Sequence, residues 1–364
     1  MKPLSFVSLL GAALGAMLGA AGPALAAEPA NDKLLFVSNR AGNAQIHVMA
    51  ANGSGERALT AGPAENTEPA WSPDGSRIAF TSYRDGNAEI YVMDADGARP
   101  TRLTTGAQAD NAPAWTPQGR IVFRSMRDGW ANFYAIDADG THLLPLTATP
   151  QDKGVPMPSP DGRWLAYVGH GDKGLTNIYL LPADGGEARN LTGALSANQK
   201  LGPAWAPDSQ RLLYGEYAGG AVGLRVIGVD GGQPGKLTDN QYGNTWASWS
   251  PDGQRIAFVS SREGTRMDMA RGDIYVMAAD GTGATNLTRH PAEDNYPAWS
   301  QDGKTLYFVS LREGNAQIYA VPAEGGAALR LTHNQGYDLM VRPQQTQARL
   351  ADTGPAAPRP QTTN

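Results

Sequence analysis

The sequence predicts an all-β fold, a seven-bladed β-propeller of four-stranded antiparallel blades, and three observations carry that expectation. A short phrase built on tryptophan recurs along the chain. The stretch after each copy alternates apolar and polar residues, and a Leu-Thr pair ends every unit. The 44 glycines and 26 prolines among 364 residues are turn material, which favours many short strands over long helices.

The phrase is Pro69-Ala70-Trp71-Ser72-Pro73-Asp74-Gly75. It returns at 113–119, 203–208, 248–253 and 297–303, and in degenerate form at Pro156-Met157-Pro158-Ser159-Pro160-Asp161-Gly162. The copies lie 44, 43, 47, 44 and 50 residues apart, the length of a propeller blade. Within one unit, the segment ending at Trp71 reads as a short inner strand and Pro73-Asp74-Gly75 as a turn. Residues 77–82 alternate as a second strand, and Arg84-Asp85-Gly86-Asn87 turns the chain where Gly and Asn accept positive φ. Residues 89–93 form a third strand, and Arg102-Leu103-Thr104 closes the outer edge.

Blade count follows from the strands rather than the anchors. The second-and-third-strand pattern starts seven times, at Leu34, Ile78, Ile121, Trp164, Leu212, Ile256 and Leu306, and the Leu-Thr that ends a unit also occurs seven times. Inner-strand anchors occur only six times, so six blades is the rival count. Blade one lacks its inner strand at the N-terminal side, and Gly336-Tyr337-Asp338-Leu339-Met340-Val341 is placed to supply it. Such a strand closes the ring and removes two sheet edges.

The flanks read differently. Residues 1–26 have the pattern of a secretory leader: Lys2, an apolar stretch from Leu4 to Leu18, then Ala24-Leu25-Ala26, with cleavage expected near Ala26. A short segment, 27–33, leads to the propeller at 34–343, and the Gln/Thr/Ala/Pro-rich run 344–364 reads as a disordered tail. The expected location is therefore the periplasm or the exterior, with no transmembrane segment left after cleavage. With no cysteine there is no disulfide framework or thiol nucleophile. A net charge of −5 gives no basic field for nucleic acid.

Strand direction puts the loops leading into the inner strands on one face, together with the turns between second and third strands. Those lead-in loops carry Glu65, Asn66, Glu68, Asp110, Asn111, Asp152, Asn198, Asn244, Glu293, Asp294, Asn295, Asn334 and Asp338. Converging on the channel mouth, they predict an acidic funnel suited to a cation, a basic peptide segment or a polyhydroxylated ligand. The bland alternative is that Asp and Asn cap local turns. Arg40, Arg84, Arg127, Arg262 and Arg312 lie on the same face and are expected to pair with the carboxylates, fixing blade to blade. Blades four and five lack this arginine and carry Gly169-His170-Gly171 and Glu216-Tyr217 instead. Trp130 and Trp246, with Tyr242 and Tyr296 in neighbouring loops, break the repeat as aromatic binding anchors or inter-blade packing. Thr265–Gly272 lengthens one turn of blade six.

No close histidine pair with ligand spacing occurs, and no cofactor is expected. His290 and His333 follow Leu-Thr in adjacent blades and are the residues a divalent cation would use. No Gly-x-Ser-x-Gly elbow is present.

Trp-Ser-Pro-Asp-Gly, an apolar strand, Ser-x-Arg-Asp/Glu-Gly-Asn and Ile-Tyr-Val-Met together resemble the propeller repeats of the TolB-like, WD-like family of periplasmic and secreted proteins. Residues 83–93 and 311–321 match closely, and the resemblance spans 34–343. TolB proteins carry an α/β domain ahead of a six-bladed propeller, and the resemblance here does not extend to that domain. It implies a monomeric module that binds a protein or peptide in the cell envelope. Related repeats in oligogalacturonate lyases imply the alternative, a carbohydrate-active enzyme using mouth histidines and carboxylates.

Overall fold

The computed structural model describes residues 32–171, 174–193, 195, 198–263 and 272–345. The leader, the tail from 346 and residues 264–271 of the blade-six insertion lie outside the described residues. Among the described residues, no helix is long and apolar enough to cross a membrane.

Seven four-stranded sheets are present, and every strand pairs antiparallel with its neighbour. From the channel outward, blade two is Asn66–Trp71, Arg77–Ser82, Glu89–Asp94 and Thr101–Arg102. Blades three, six and seven copy it, with inner strands Asp110–Trp115, Asn244–Trp249 and Asp294–Trp299. Blade one is closed by Asp338–Pro343 from the other end of the chain, which pairs with Lys33–Ser38 through Leu34–Pro343 and Ser38–Asp338. The expected closing strand is present, shifted two residues, and the six-blade count falls.

Seven apolar clusters fill the seven seams between blades. Leu35, Ile46 and Val48 of blade one meet Ile78, Phe80 and Tyr91 of blade two. At the closing seam Leu34, Phe36 and Val341 meet Tyr307 and Ile318 of blade seven. Each blade thus buries both faces, so its second and third strands are almost continuously buried where the alternating pattern had suggested one exposed face. Tryptophan staples the inner ends: Trp71 Nε1 donates to Arg342 O at 3.2 Å, Trp115 Nε1 to Ala70 O at 3.1 Å, and Trp205 Nε1 to Met157 O at 2.9 Å. The Ser-Pro-Asp-Gly turn is self-bonded. Ser72 Oγ donates to Asp74 Oδ1 at 2.6 Å, and this bond above all holds the Asp74 carboxyl down to about 2.

Six of the seven inner strands share a bulge. The residue at its apex has positive φ: Glu68 (53°), Ala112 (53°), Gly202 (42°), Trp246 (51°), Tyr296 (56°) and Met340 (57°). Pairing skips there, as between Thr67 and Ala70. Proline follows the apex in four cases, and a bulge is where a strand tolerates a residue without an N–H. Blade four is the exception, because its inner strand is only Met157–Pro158.

Candidate functional site

One position of the inner segment, paired with the end of the second strand, is the same slot in every blade; where the blade has Pro-Ala-Trp or its degenerate copy, it lies three positions before the Pro. In chain order the slot holds Asn66, Asp110, Lys153, Lys200, Asn244, Asp294 and Asp338, and all seven are buried. Five of the residues expected at an open mouth are therefore sealed into the seams. Arg127 NH2 donates to Asp110 Oδ2 at 2.7 Å, and Arg312 NH2 to both oxygens of Asp294 at 3.1 Å. Arg40 NH2 reaches Asp338 at 3.0 Å, and Arg84 NH2 reaches Asn66 Oδ1 at 3.1 Å.

These arginines act within a blade, not between blades as the sequence suggested. Each leaves the turn after its own second strand and reaches back to its own inner strand. The Ser two residues earlier takes the Nε proton, as in Arg312 to Ser310 at 2.8 Å, and the guanidinium rests over a third-strand tyrosine, 4.5 Å from Tyr319. The Ser-x-Arg motif and the Tyr of Ile-Tyr-Val are one device. Burial pushes the Asp110 and Asp294 carboxyls up, and the serine and arginine partners oppose that push.

The Thr of Leu-Thr bonds within its own blade and orients the side chain that crosses the seam. In all seven blades the Thr hydroxyl accepts from a third-strand N–H, for example Thr60 from Ile46 at 2.9 Å and Thr332 from Ile318 at 3.0 Å. It also donates to the side chain that opens the third strand, such as Gln45 Oε1 at 2.8 Å, and Asn66 of the next blade donates to the same oxygen at 2.9 Å.

Blades four and five solve the slot with the opposite charge. Lys153 Nζ donates to Asn132 Oδ1 of blade three at 2.9 Å, to Thr149 Oγ1 and to Gln151 O. Burial lowers its ammonium to about 8. Lys200 Nζ lies 3.5 Å from Glu216, which also takes Arg225 Nε at 3.1 Å. Sequence reasoning chose Asp152 and Asn198 for these blades and missed both lysines, although counting back three residues from Pro156 and Pro203 finds them.

What is left facing the mouth is uneven. On blades two and three, Glu65 is exposed and Glu68 Oε2 accepts from Thr81 Oγ1 at 2.7 Å and Ala112 N at 2.8 Å. Asn111 Oδ1 accepts from Arg124 Nε at 3.0 Å. Asp152 Oδ1 caps Ala131 N at 2.9 Å beside Trp130, which stands exposed where other blades carry a loop-tying Asn. On blade seven Asn295 donates to Glu293.

Across the channel the lining is apolar. Trp246 and Tyr296, bulge apices of adjacent blades, stand 53% and 38% exposed with ring centroids 4.4 Å apart. Leu201, Tyr337, Leu339 and Met340 extend the exposed apolar surface on blades five and one. Tyr242 lines a small polar recess with Arg262 and Asn244.

His290 is half-buried, its Nδ1 accepting from Ala292 N at 3.1 Å, and His333 is exposed. Among the described residues no group of three His, Asp or Glu side chains is placed to hold a metal ion.

Seven repeated seams and a ring closed by the last strand define a β-propeller built from one blade plan. The sequence profile of the TolB beta propeller domain matches residues 15–122, 156–269 and 195–350. The chain belongs to the TolB β-propeller family. A segment of 68 residues, 18% of the chain, is 40% identical to the uncharacterized peptidase YuxL of Bacillus subtilis and spans 10% of that protein. Among solved structures, TolB from Acinetobacter baumannii aligns over 72% of this chain and 65% of its own, with a TM-score of 0.52 and 20% identity. An oligogalacturonate lyase in complex with manganese aligns over 82% and 84%, with a TM-score of 0.62 and 17% identity. At these identities the structural likeness concerns the fold.

Proposed function

We propose that this chain is an exported, periplasmic binding module that holds a protein or peptide partner at the channel mouth. The observation that carries this reading is the pair Trp246 and Tyr296. Two large aromatic rings are left partly in solvent on backbone held at positive φ, a conformation that costs about 1–2 kcal/mol for a residue with a side chain. Strain of this kind collects where a surface is used, and exposed aromatics are the commonest anchors of an interface. The carboxylates of Glu65, Glu68 and Glu293 face the same mouth and favour a partner carrying basic groups beside its apolar ones. In this reading Asn66, Asp110, Asn244, Asp294 and Asp338 build the frame, while Asn111, Asp152, Asn295 and Trp130 edge the contact surface.

The test is affinity capture from a periplasmic extract with the mature chain, in parallel with Trp246→Ala/Tyr296→Ala and Glu65→Gln/Glu68→Gln. The expected result is a partner held by the native chain and lost by the aromatic variant, with weaker, salt-sensitive loss in the second. Equal capture by all three chains rules the mouth out as the site. Turnover of an acidic sugar polymer by the native chain would replace the reading with an enzymatic one.

A further inference from the structure

The blade plan is broken twice at one spot in blade five. Opposite the bulge, the second strand carries Val37, Thr81, Arg124, Val168, Val259 or Val309 in the other six blades, and Gly215 in this one. At the bulge apex itself, where other blades carry Glu, Ala, Trp, Tyr or Met, blade five has Gly202. Next to it blade four has only a two-residue inner strand, Met157–Pro158. Side chains are thus missing from two adjoining positions beside a shortened strand, and a cavity of about 470 Å3 opens between blades four, five and six.

Its walls are Val155, Met157, Val168, Leu201, Val222 and Leu224, and Trp246 of the exposed aromatic pair stands at its rim. The lining holds no charged side chain, and the adjacent Lys200 is committed to Glu216 and to Asn198 O at 2.5 Å. An ion entering would be desolvated without a partner. Thr245, one of the lining residues, has its Oγ1 buried and without a hydrogen-bond partner among the described residues. The size falls in the range of roughly 300–1,000 Å3 typical of sites for small organic groups.

We infer that this cavity receives one uncharged apolar side chain of the bound partner, of aromatic or branched aliphatic type, with Trp246 closing over it. The inference rests on the partner-binding reading above and names the chemistry of the anchor. The six other blades carry a side chain where blade five has Gly215, so an anchor at this cavity gives the partner a defined orientation.

The test uses N-phenyl-1-naphthylamine, an uncharged dye that fluoresces in apolar surroundings, titrated into the full chain. Two variants fill the cavity. Gly215→Val restores the residue of four other blades, and its Cβ would meet only the rotatable Val222 Cγ1 within 3 Å. Gly202→Met copies Met340 of blade one at a similar positive φ, with no atom within 4 Å of its Cβ. The expected result is saturable 1:1 dye binding by the native chain, weakened at least about tenfold in both variants, with loss of captured partner in Gly215→Val. Absence of saturable binding to the native chain, or equal binding by both variants, overturns the inference. Dye binding lost but partner capture kept in the folded variants also overturns it, and leaves the partner reading standing. If no chain captures a partner, that reading falls and the anchor role falls with it.

Discussion

Blade seven and blade five present the same backbone slot to the same kind of seam and fill it with opposite charges. In blade seven Asp294 is fully buried and held at both oxygens by Arg312. In blade five Lys200 is equally buried and answers to Glu216, which already has Arg225. The slot demands a hydrogen-bonding group that spans the seam, and the sign of its charge is free provided the counter-charge comes with it. Where the arginine device is absent, the strand beneath is also released from the repeat, and the cavity opens there.

The largest effect that separates the two blades should come from Asp294→Ala. It strands the Arg312 guanidinium in a buried seam, and urea denaturation should show a loss of about 3–5 kcal/mol. Asp294→Asn, the residue type of blades two and six, should recover more than half of that.

His47 sharpens the comparison from another side, because it replaces the third-strand tyrosine of the regular blades beneath Arg40. Burial, reinforced by Arg40 and opposed by Asp338, lowers its imidazole to about 4. The folded chain therefore keeps His47 neutral while the unfolded chain takes up a proton below about 6.5. The resulting stability is complete above pH 6.5, is lost as the pH falls from there towards 4, and changes no further below that. A fall of about 2 kcal/mol across this window is expected, read as Tm against pH, and His47→Phe should flatten it.

Lys200→Met should cost only about 1 kcal/mol, since Glu216 keeps Arg225 and a buried ammonium is removed. A loss equal to that of Asp294→Ala would show that the two slots are not equivalent. Smallest of all, Glu65→Gln, at an exposed carboxylate, should leave stability within about 0.5 kcal/mol and weaken partner capture in a salt-sensitive way.

Much of this architecture was legible in the sequence because it is repeated. Trp71 and its copies, Leu-Thr and Ser-x-Arg each mark a bond made several times over, and the surplus second strand at Leu34 required Asp338–Pro343 to complete it. The site was less legible. Asp110, Asp294 and Asp338 look like an acidic ring in one dimension, and only packing reveals that their carboxylates point into seams. The bulge conformation at Trp246 and Tyr296 depends on a register skip that no residue type announces. Gly215 was invisible as a site for the opposite reason: in a chain with 44 glycines, one that removes a wall reads like one that makes a turn.

The closing strand has a consequence in time. Leu34 and its partner Pro343 are some three hundred residues apart, so in an exported chain the first strand reaches the compartment where it folds well before the strand that pairs with it. Throughout that interval the inner edge of blade one, Lys33–Ser38, has no strand beside it and the apolar faces of Leu34 and Phe36 have no blade seven to cover them. Six blades can form in order as they emerge, but the ring stays an open arc with a sticky end at each side until the last strand arrives. A chain stopped before Asp338 would stay in that state permanently, offering its free edge to any strand that fits.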